Sequence, residues 1–137
     1  MTKLLQDIWI LEDSGIVLFH RVFDEKVDAT LFGGLLTALN SFAEEISTGG
    51  LSNFELAGKK FYLLKNKNYL FIANSSNKHN FKKVKMELNS VMKKFFELYS
   101  DILLNSWNGD TSLFSNFEFK IKDSLEGIIK KLEEAFW

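Results

Sequence analysis

The chain contains 137 residues and carries a formal net charge of −1. This length predicts one domain over residues 1–137 with a hydrophobic core of its own. Hydrophobic residues make up 46% and charged residues 26% of the sequence, which excludes disorder, collagen and a coiled coil as descriptions of the whole chain. The sequence has no cysteine, so disulfides, thiolate metal sites and a cysteine nucleophile are excluded as well.

The sequence fits neither the pattern of a signal peptide nor that of a membrane span. Residues 1–7 lack the apolar run of a signal peptide. No apolar stretch reaches the ~18 residues that a membrane span requires. We therefore expect a cytoplasmic protein.

The first predicted elements form a hairpin. Residues 8–11 are a short apolar run that ends at a turn cluster, residues 12–15, and residues 16–23 are β-branched and aromatic. Apolar side chains occupy both faces of these strands, whereas a sheet with one wet face would alternate. We therefore expect the sheet to be covered on both sides.

A helix is predicted next, over residues 29–47, with Asp28 as its N-terminal cap. Gly33 and Gly34 lie inside it at a cost of about 1 kcal/mol each, and such glycines usually permit another backbone to come close. One apolar stripe at helical spacing is predicted to face the sheet. Its members are Leu31, Leu35, Ala38, Leu39, Phe42 and Ile46.

The remainder of the chain predicts three strands and two helices. The strands are residues 51–56, 60–65 and 69–73, and the helices are residues 78–104 and 112–136, with Phe119 exposed on the second helix. The order is β-β-α-β-β-β-α-α. With both sheet faces apolar, this order predicts an α/β (α+β) three-layer α-β-α sandwich around a five-stranded, mainly antiparallel sheet.

This order, with a hairpin first and no helix ahead of it, resembles the longin domain of the longin/roadblock superfamily. Three stretches are similar to archaeal-type longin proteins that accompany Ras-like GTPases. They are residues 8–11 with Gly15, residues 35–43, and the series Phe96, Tyr99, Leu103 and residues 107–110. The resemblance covers nearly the whole chain, and it concerns core patterns rather than a catalytic signature.

The resemblance implies a non-catalytic protein–protein interaction module. In that family, binding is often through dimers, and the partners are small GTPases, SNARE segments or trafficking complexes. For this chain, the resemblance implies a dimer with a second copy or a paralogue. No cofactor is implied. The alternative is a sensory domain of PAS-like or GAF-like type that holds a small ligand in an enclosed pocket.

The residues that carry chemistry are scattered. His20 has only Asp24 near it in sequence, and His79 lies in the first turn of a predicted helix, so neither indicates a metal site. Gly33-Gly34 lacks the pattern of a phosphate-binding loop. The single arginine, Arg21, lies within a strand, where an arginine finger is not expected. We therefore predict no enzyme and no catalytic, cofactor-binding or metal residues.

Two apolar sets are candidates for a partner or dimer interface. Phe32, Leu36 and Ala43 flank the predicted inward stripe and either pack against strand ends or form an exposed apolar flank. The strand at residues 51–56 would lie at a sheet edge in the longin order, where an equivalent strand can pair with it. Phe54 and Leu56 are the candidates on that strand.

The lysines are concentrated in the middle of the chain. Residues 59–94 hold ten lysines and one glutamate, and Lys78, Lys82, Lys85 and Lys93 share one flank of a predicted helix. This flank is either a solvated face or a contact for an acidic partner or an anionic membrane surface. Nucleic acid is not expected as a partner, because its recognition favours arginine. Any membrane contact would be peripheral.

Overall fold

A computed structural model describes residues 5–21, 29–46, 53–56, 59–75 and 81–121. The strands are β1 (Leu5–Glu12), β2 (Val17–Arg21), β3 (Asn53–Leu56), β4 (Lys59–Asn66) and β5 (Tyr69–Ser75). The helices are α1 (Ala29–Ile46), α2 (Phe81–Leu98), α3 (Asp101–Asn105) and α4 (Phe117–Ile121), with a 3-10 helix at Thr111–Phe114. The predicted α+β class and the predicted order of its first seven elements are confirmed.

The five strands form one antiparallel sheet in the order β2-β1-β5-β4-β3. Ile10 in β1 lies opposite Phe19 in β2 and Phe71 in β5, so the hairpin is joined to the centre of the sheet. The strands β4 and β5 are connected by a tight turn in which Lys67 adopts a φ of 56°. Strand β3 lies at one edge, as predicted, and β2 lies at the other.

Two hydrophobic cores lie on opposite faces of the sheet, which confirms the three-layer arrangement. On the α2 face, Ile10 and Phe71 pack with the buried side of α2, including Leu88 and Phe95. Aromatic rings fill this core: the ring of Phe95 meets those of Phe71, Tyr99, Phe114 and Phe117 at centroid distances of 4.9–5.7 Å. On the α1 face, the core consists of Trp9, Leu11, Phe32, Leu36, Phe61, Leu63, Leu70 and Ile72.

A buried polar pair joins β1 to β5 next to an irregularity in their register. Asp7 and Asn74 are 5% and 1% exposed. The backbone N–H of Asp7 donates to Asn74 Oδ1 at 3.0 Å, and Asn74 Nδ2 donates to Asp7 Oδ2 at 3.0 Å. Each group therefore has a partner that offsets the cost of its burial.

Within the described residues, both predicted helices on the α2 face are interrupted. The predicted helix over residues 78–104 is two helices, because α2 ends at Leu98 and α3 begins at Asp101, where Ser100 Oγ accepts from the N–H of Leu103 at 3.2 Å. The predicted helix over residues 112–136 begins as a 3-10 helix, which Asp110 caps by accepting from the N–H of Ser112. Residues 122–137 lie outside the described part of the chain.

Candidate interaction surfaces

Helix α1 faces the sheet with the side adjacent to the one predicted, about 100° around the helix. Leu31, Leu35, Phe42 and Ile46 are 73%, 45%, 64% and 70% exposed. These four residues, together with the exposed Ala38, share one side of the helix. We call them the outer stripe of α1. The prediction that this stripe faces the sheet is wrong.

Phe32 and Leu36 are 7% and 0% exposed and belong to the core. The ring of Phe32 lies 4.6 Å from that of Trp9 and 5.7 Å from that of Phe61. The prediction that Phe32 and Leu36 form an exposed flank is therefore wrong, and Ala43 is partly buried. The alternative, in which they pack against the strands, agrees with the structure.

Gly33 explains why this side of α1 faces inward. A Cβ atom at Gly33 would lie 2.8 Å from Val17 Cγ2 and 3.0 Å from the carbonyl oxygen of Gly15, whereas one at Gly34 would meet nothing within 4 Å. Only a residue without a side chain allows α1 to approach the β1–β2 turn this closely. Phe32 and Leu36 are on the same side of the helix as Gly33 and are buried with it.

The edge strand β3 carries the second candidate set. Phe54 is partly buried, and its ring stacks on that of Phe61 at 5.0 Å with an interplanar angle of 5°. Phe54 therefore lies on the α1 face of the sheet. The side chain of Leu56 lies outside the described part, and an interface role for either residue stays a prediction.

A polar contact links α1 to β4 beside this surface. Lys65 Nζ donates to Glu44 Oε1, and Asn40 Nδ2 donates to the same oxygen at 3.0 Å. The hydrogen bond from Lys65 and then that from Asn40 hold the pKa of Glu44 below its ordinary value of 4.5. These contacts fix the C-terminal half of α1 over the sheet.

The lysine flank lies on α2. Lys82, Lys85 and Lys93 are exposed, while Lys78 lies outside the described residues. The ammonium of Lys85 lies 5.7 Å from the centroid of the Phe81 ring. Such a distance is typical of a weak cation–π contact at an exposed site. The flank is thus accessible, and its role stays a prediction.

The residues weighed for chemistry are separated. His20 is exposed in an open cleft between β2 and the 3-10 helix, which Asp110 and Glu118 also line. Within the described ranges, no three His, Asp or Glu side chains are grouped as a metal ion requires. Arg21 Nη1 donates to the carbonyl oxygen of Gln6 at 2.6 Å. None of the helices described is long and apolar enough to cross a membrane.

Many solved structures share this fold, and two of them serve as examples. Myxococcus xanthus MglB is 16% identical, with a TM-score of 0.52, over 68% of this chain and 84% of that chain. A Roadblock/LC7 domain from Streptomyces avermitilis is 14% identical, with a TM-score of 0.51, over 68% of this chain and 87% of that chain. No protein-family model matches the sequence, and no curated protein matches it. The chain therefore has a longin/roadblock-like fold, and the predicted resemblance is confirmed at the level of the fold.

Proposed function

We propose that this chain is a single-domain, non-catalytic interaction module that forms a dimer in the cytoplasm and binds a Ras-like small GTPase or a trafficking-like partner. The GTPase is proposed from the longin-like resemblance of the sequence and from the longin/roadblock-like fold. The archaeal type belongs to the same proposal.

The observation that carries the dimer is the outer stripe of α1. This helix carries apolar side chains on two adjacent sides, which is more than a helix packed on one sheet needs to bury. Its inner side packs on the sheet, yet Leu31, Phe42 and Ile46 are each more than 60% exposed. Contiguous apolar patches of this kind usually mark an interface. The exposed side chains of the stripe would therefore be more stable against the surface of a second macromolecule than in water.

We propose that the second macromolecule is another copy of the chain. Strand β3 is an edge strand on the same side of the molecule as the stripe, since Phe54 on β3 faces the α1 core. Two β3 edges that pair antiparallel extend the sheet through a twofold axis normal to it. That axis places both α1 helices on one side of the joined sheet, where their outer stripes can meet.

In this proposal the chain binds the GTPase but does not supply a catalytic group to it. The only arginine of the sequence, Arg21, has its guanidinium engaged with the backbone of Gln6. An arginine finger requires a guanidinium that can reach the nucleotide of the partner. Any effect on hydrolysis would therefore come from repositioning groups of the GTPase itself.

Size-exclusion chromatography with light scattering tests both parts of the proposal. The chain alone should elute with twice its monomer mass. A Ras-like GTPase from the same source organism, loaded with GDP in one sample and a non-hydrolysable GTP analogue in another, should co-elute with it in at least one state. A monomer at high micromolar concentration would overturn the dimer, and separate elution in both nucleotide states would overturn the proposed GTPase partner.

A further inference from the structure

We infer that the lysine face of α2 binds an anionic membrane surface. We define this face by Lys82, Lys85 and Lys93, which are all exposed. This inference adds a membrane contact to the proposed GTPase partner. It rests on the proposed dimer in one respect only, because a dimer would present the lysines of two copies to the membrane.

The three lysines form one sector of the helix. At 3.6 residues per turn they fall within about 80° of one another, away from the buried side. That buried side consists of Val84, Leu88, Val91 and Phe95. The two glutamates of α2, Glu87 and Glu97, lie outside the sector by the same geometry. The sector itself therefore holds only positive charge, and the exposed Glu97 borders it about 40° from Lys93.

Two apolar side chains flank the lysines. Met86 is 65% and Phe81 is 41% exposed. A helix with lysines and exposed apolar side chains side by side suits the boundary between headgroups and acyl chains. The sheet adds to the charge on this side of the molecule, because Lys60 is exposed there and its ammonium lies 6.0 Å from the Tyr62 ring.

The proposed dimer favours a planar partner. Antiparallel pairing of two β3 edges turns one copy about an axis normal to the sheet, so both α2 helices lie on the side opposite the two α1 helices. Six lysines of the two α2 sectors would then face one plane. A membrane offers negative charge over a plane of that extent. The dimer would bind it more tightly than a single copy, because both α2 helices can attach at once.

The lysines also suit a lipid surface better than they suit a structured acidic protein. Lysine is a compact point charge on a flexible stem, whereas arginine is favoured where a carboxylate is held by two hydrogen bonds. The sequence holds 16 lysines and one arginine among its 17 basic residues. A diffuse attraction to a surface of anionic headgroups needs no such fixed geometry.

Vesicle sedimentation tests the inference. The full chain should bind vesicles that contain phosphatidylserine at about 0.1 M salt, bind phosphatidylcholine vesicles far less, and be released at about 1 M salt. Each lysine near the surface contributes about a fivefold change in affinity, so the triple variant K82Q/K85Q/K93Q should bind roughly 100-fold more weakly as a monomer, and the loss should be larger for a dimer because it lacks six lysines. The matched control K82R/K85R/K93R keeps the charge and should retain binding.

The outcomes separate this inference from the proposed function. Equal binding to both vesicle types, or full binding by the glutamine variant, would overturn the lysine face as the site. Binding to poly-glutamate without binding to vesicles would assign the face to an acidic protein instead. Light scattering on the same protein preparation without vesicles reports the dimer, and a monomeric chain should still bind vesicles through its lysines, only more weakly. A failed dimer and a failed membrane contact therefore give different results.

Discussion

Replacing Phe42 with aspartate should weaken self-association by roughly 100-fold or more and leave the fold of each copy intact. Phe42 lies in the middle of the outer stripe of α1 and is 64% exposed. Because the side chain faces water in the single copy, removing it costs the fold little, within about 0.5 kcal/mol for a surface position. In the proposed dimer, by contrast, the aspartate would be buried against the apolar stripe of the other copy.

The size of the effect follows from the exposed area. An aromatic side chain offers about 200 Å², of which about 130 Å² is free at Phe42. At about 25 cal/mol per Å², complete burial of that area contributes about 3 kcal/mol per copy. If the dimer covers half of it, the two copies together lose about 3 kcal/mol, which is roughly a 100-fold rise in the dissociation constant. The buried carboxylate adds to this loss.

Sedimentation velocity over a range of concentrations measures the dissociation constant. The matched control is Ser41→Asp, which introduces the same charge at an exposed neighbour about 100° around the helix from Phe42. This control should associate within a few-fold of the unmodified chain. Circular dichroism and urea unfolding of all three proteins check that each copy still folds.

Two results would refute the reasoning. If Phe42→Asp associates as tightly as the unmodified chain, the outer stripe is not in the interface. If Ser41→Asp weakens association equally, the loss reflects added charge on α1 rather than the stripe. A variant that no longer folds is recognised by its unfolding curve, and Phe42→Ala then replaces it in the same assay.

Three further predictions concern the packing that positions these surfaces. Gly33→Ala should lower the free energy of unfolding by about 1–2 kcal/mol, because its methyl group would lie 2.8 Å from a side chain of β2. Gly34→Ala, its matched control with open space, should raise it by about 0.5–1 kcal/mol, and equal effects of the two in urea unfolding would contradict the close approach. Asn74→Ala should cost about 2 kcal/mol in the same assay, because it removes two hydrogen bonds to a buried partner, and a neutral result would show that the pair adds nothing. The pKa of Glu44 is below its ordinary value of 4.5 in the folded chain, so its stabilising contact is complete above pH 4.5 and is lost as the pH falls through the lower folded value. Lys65→Met should flatten this part of the pH profile of the unfolding midpoint, and an unchanged profile would exclude the contact as its source.

The sheet could be predicted from the sequence because its signal is local. Apolar residues on both faces of residues 8–11 and 69–73 indicate strands that are buried on both sides. Turn residues at 12–15 and 66–68 fix where the strands reverse. The central position of β1 between β2 and β5 depends on long-range pairing, and only the longin resemblance predicted that β3 lies at an edge.

The inward side of α1 could not be chosen from periodicity, because the helix has two apolar sides. The outer stripe has more large residues than the side with Phe32 and Leu36, so periodicity alone favours the wrong side. Gly33 is the signal in the sequence that distinguishes the two sides. A glycine that permits close approach marks the side that touches the sheet, and that side is the one that packs on β2.

The break between α2 and α3 also cannot be predicted from the spacing of apolar residues. Residues 78–104 contain no proline or glycine, so helical spacing continues across the break. The break depends on tertiary contacts, since Tyr99 is 8% exposed and packs on Phe95 and Phe114. Ser100 then begins the next helix by capping it.

Hydrogen exchange at the β3 amides that point away from β4 tests the central claim most directly. The account predicts that these amides exchange slowly at concentrations where light scattering gives a dimer. They should exchange rapidly after dilution to the monomer, and in Phe42→Asp at concentrations where light scattering shows that variant to be a monomer. Rapid exchange in a sample that light scattering shows to be dimeric would contradict the proposed sheet across two copies.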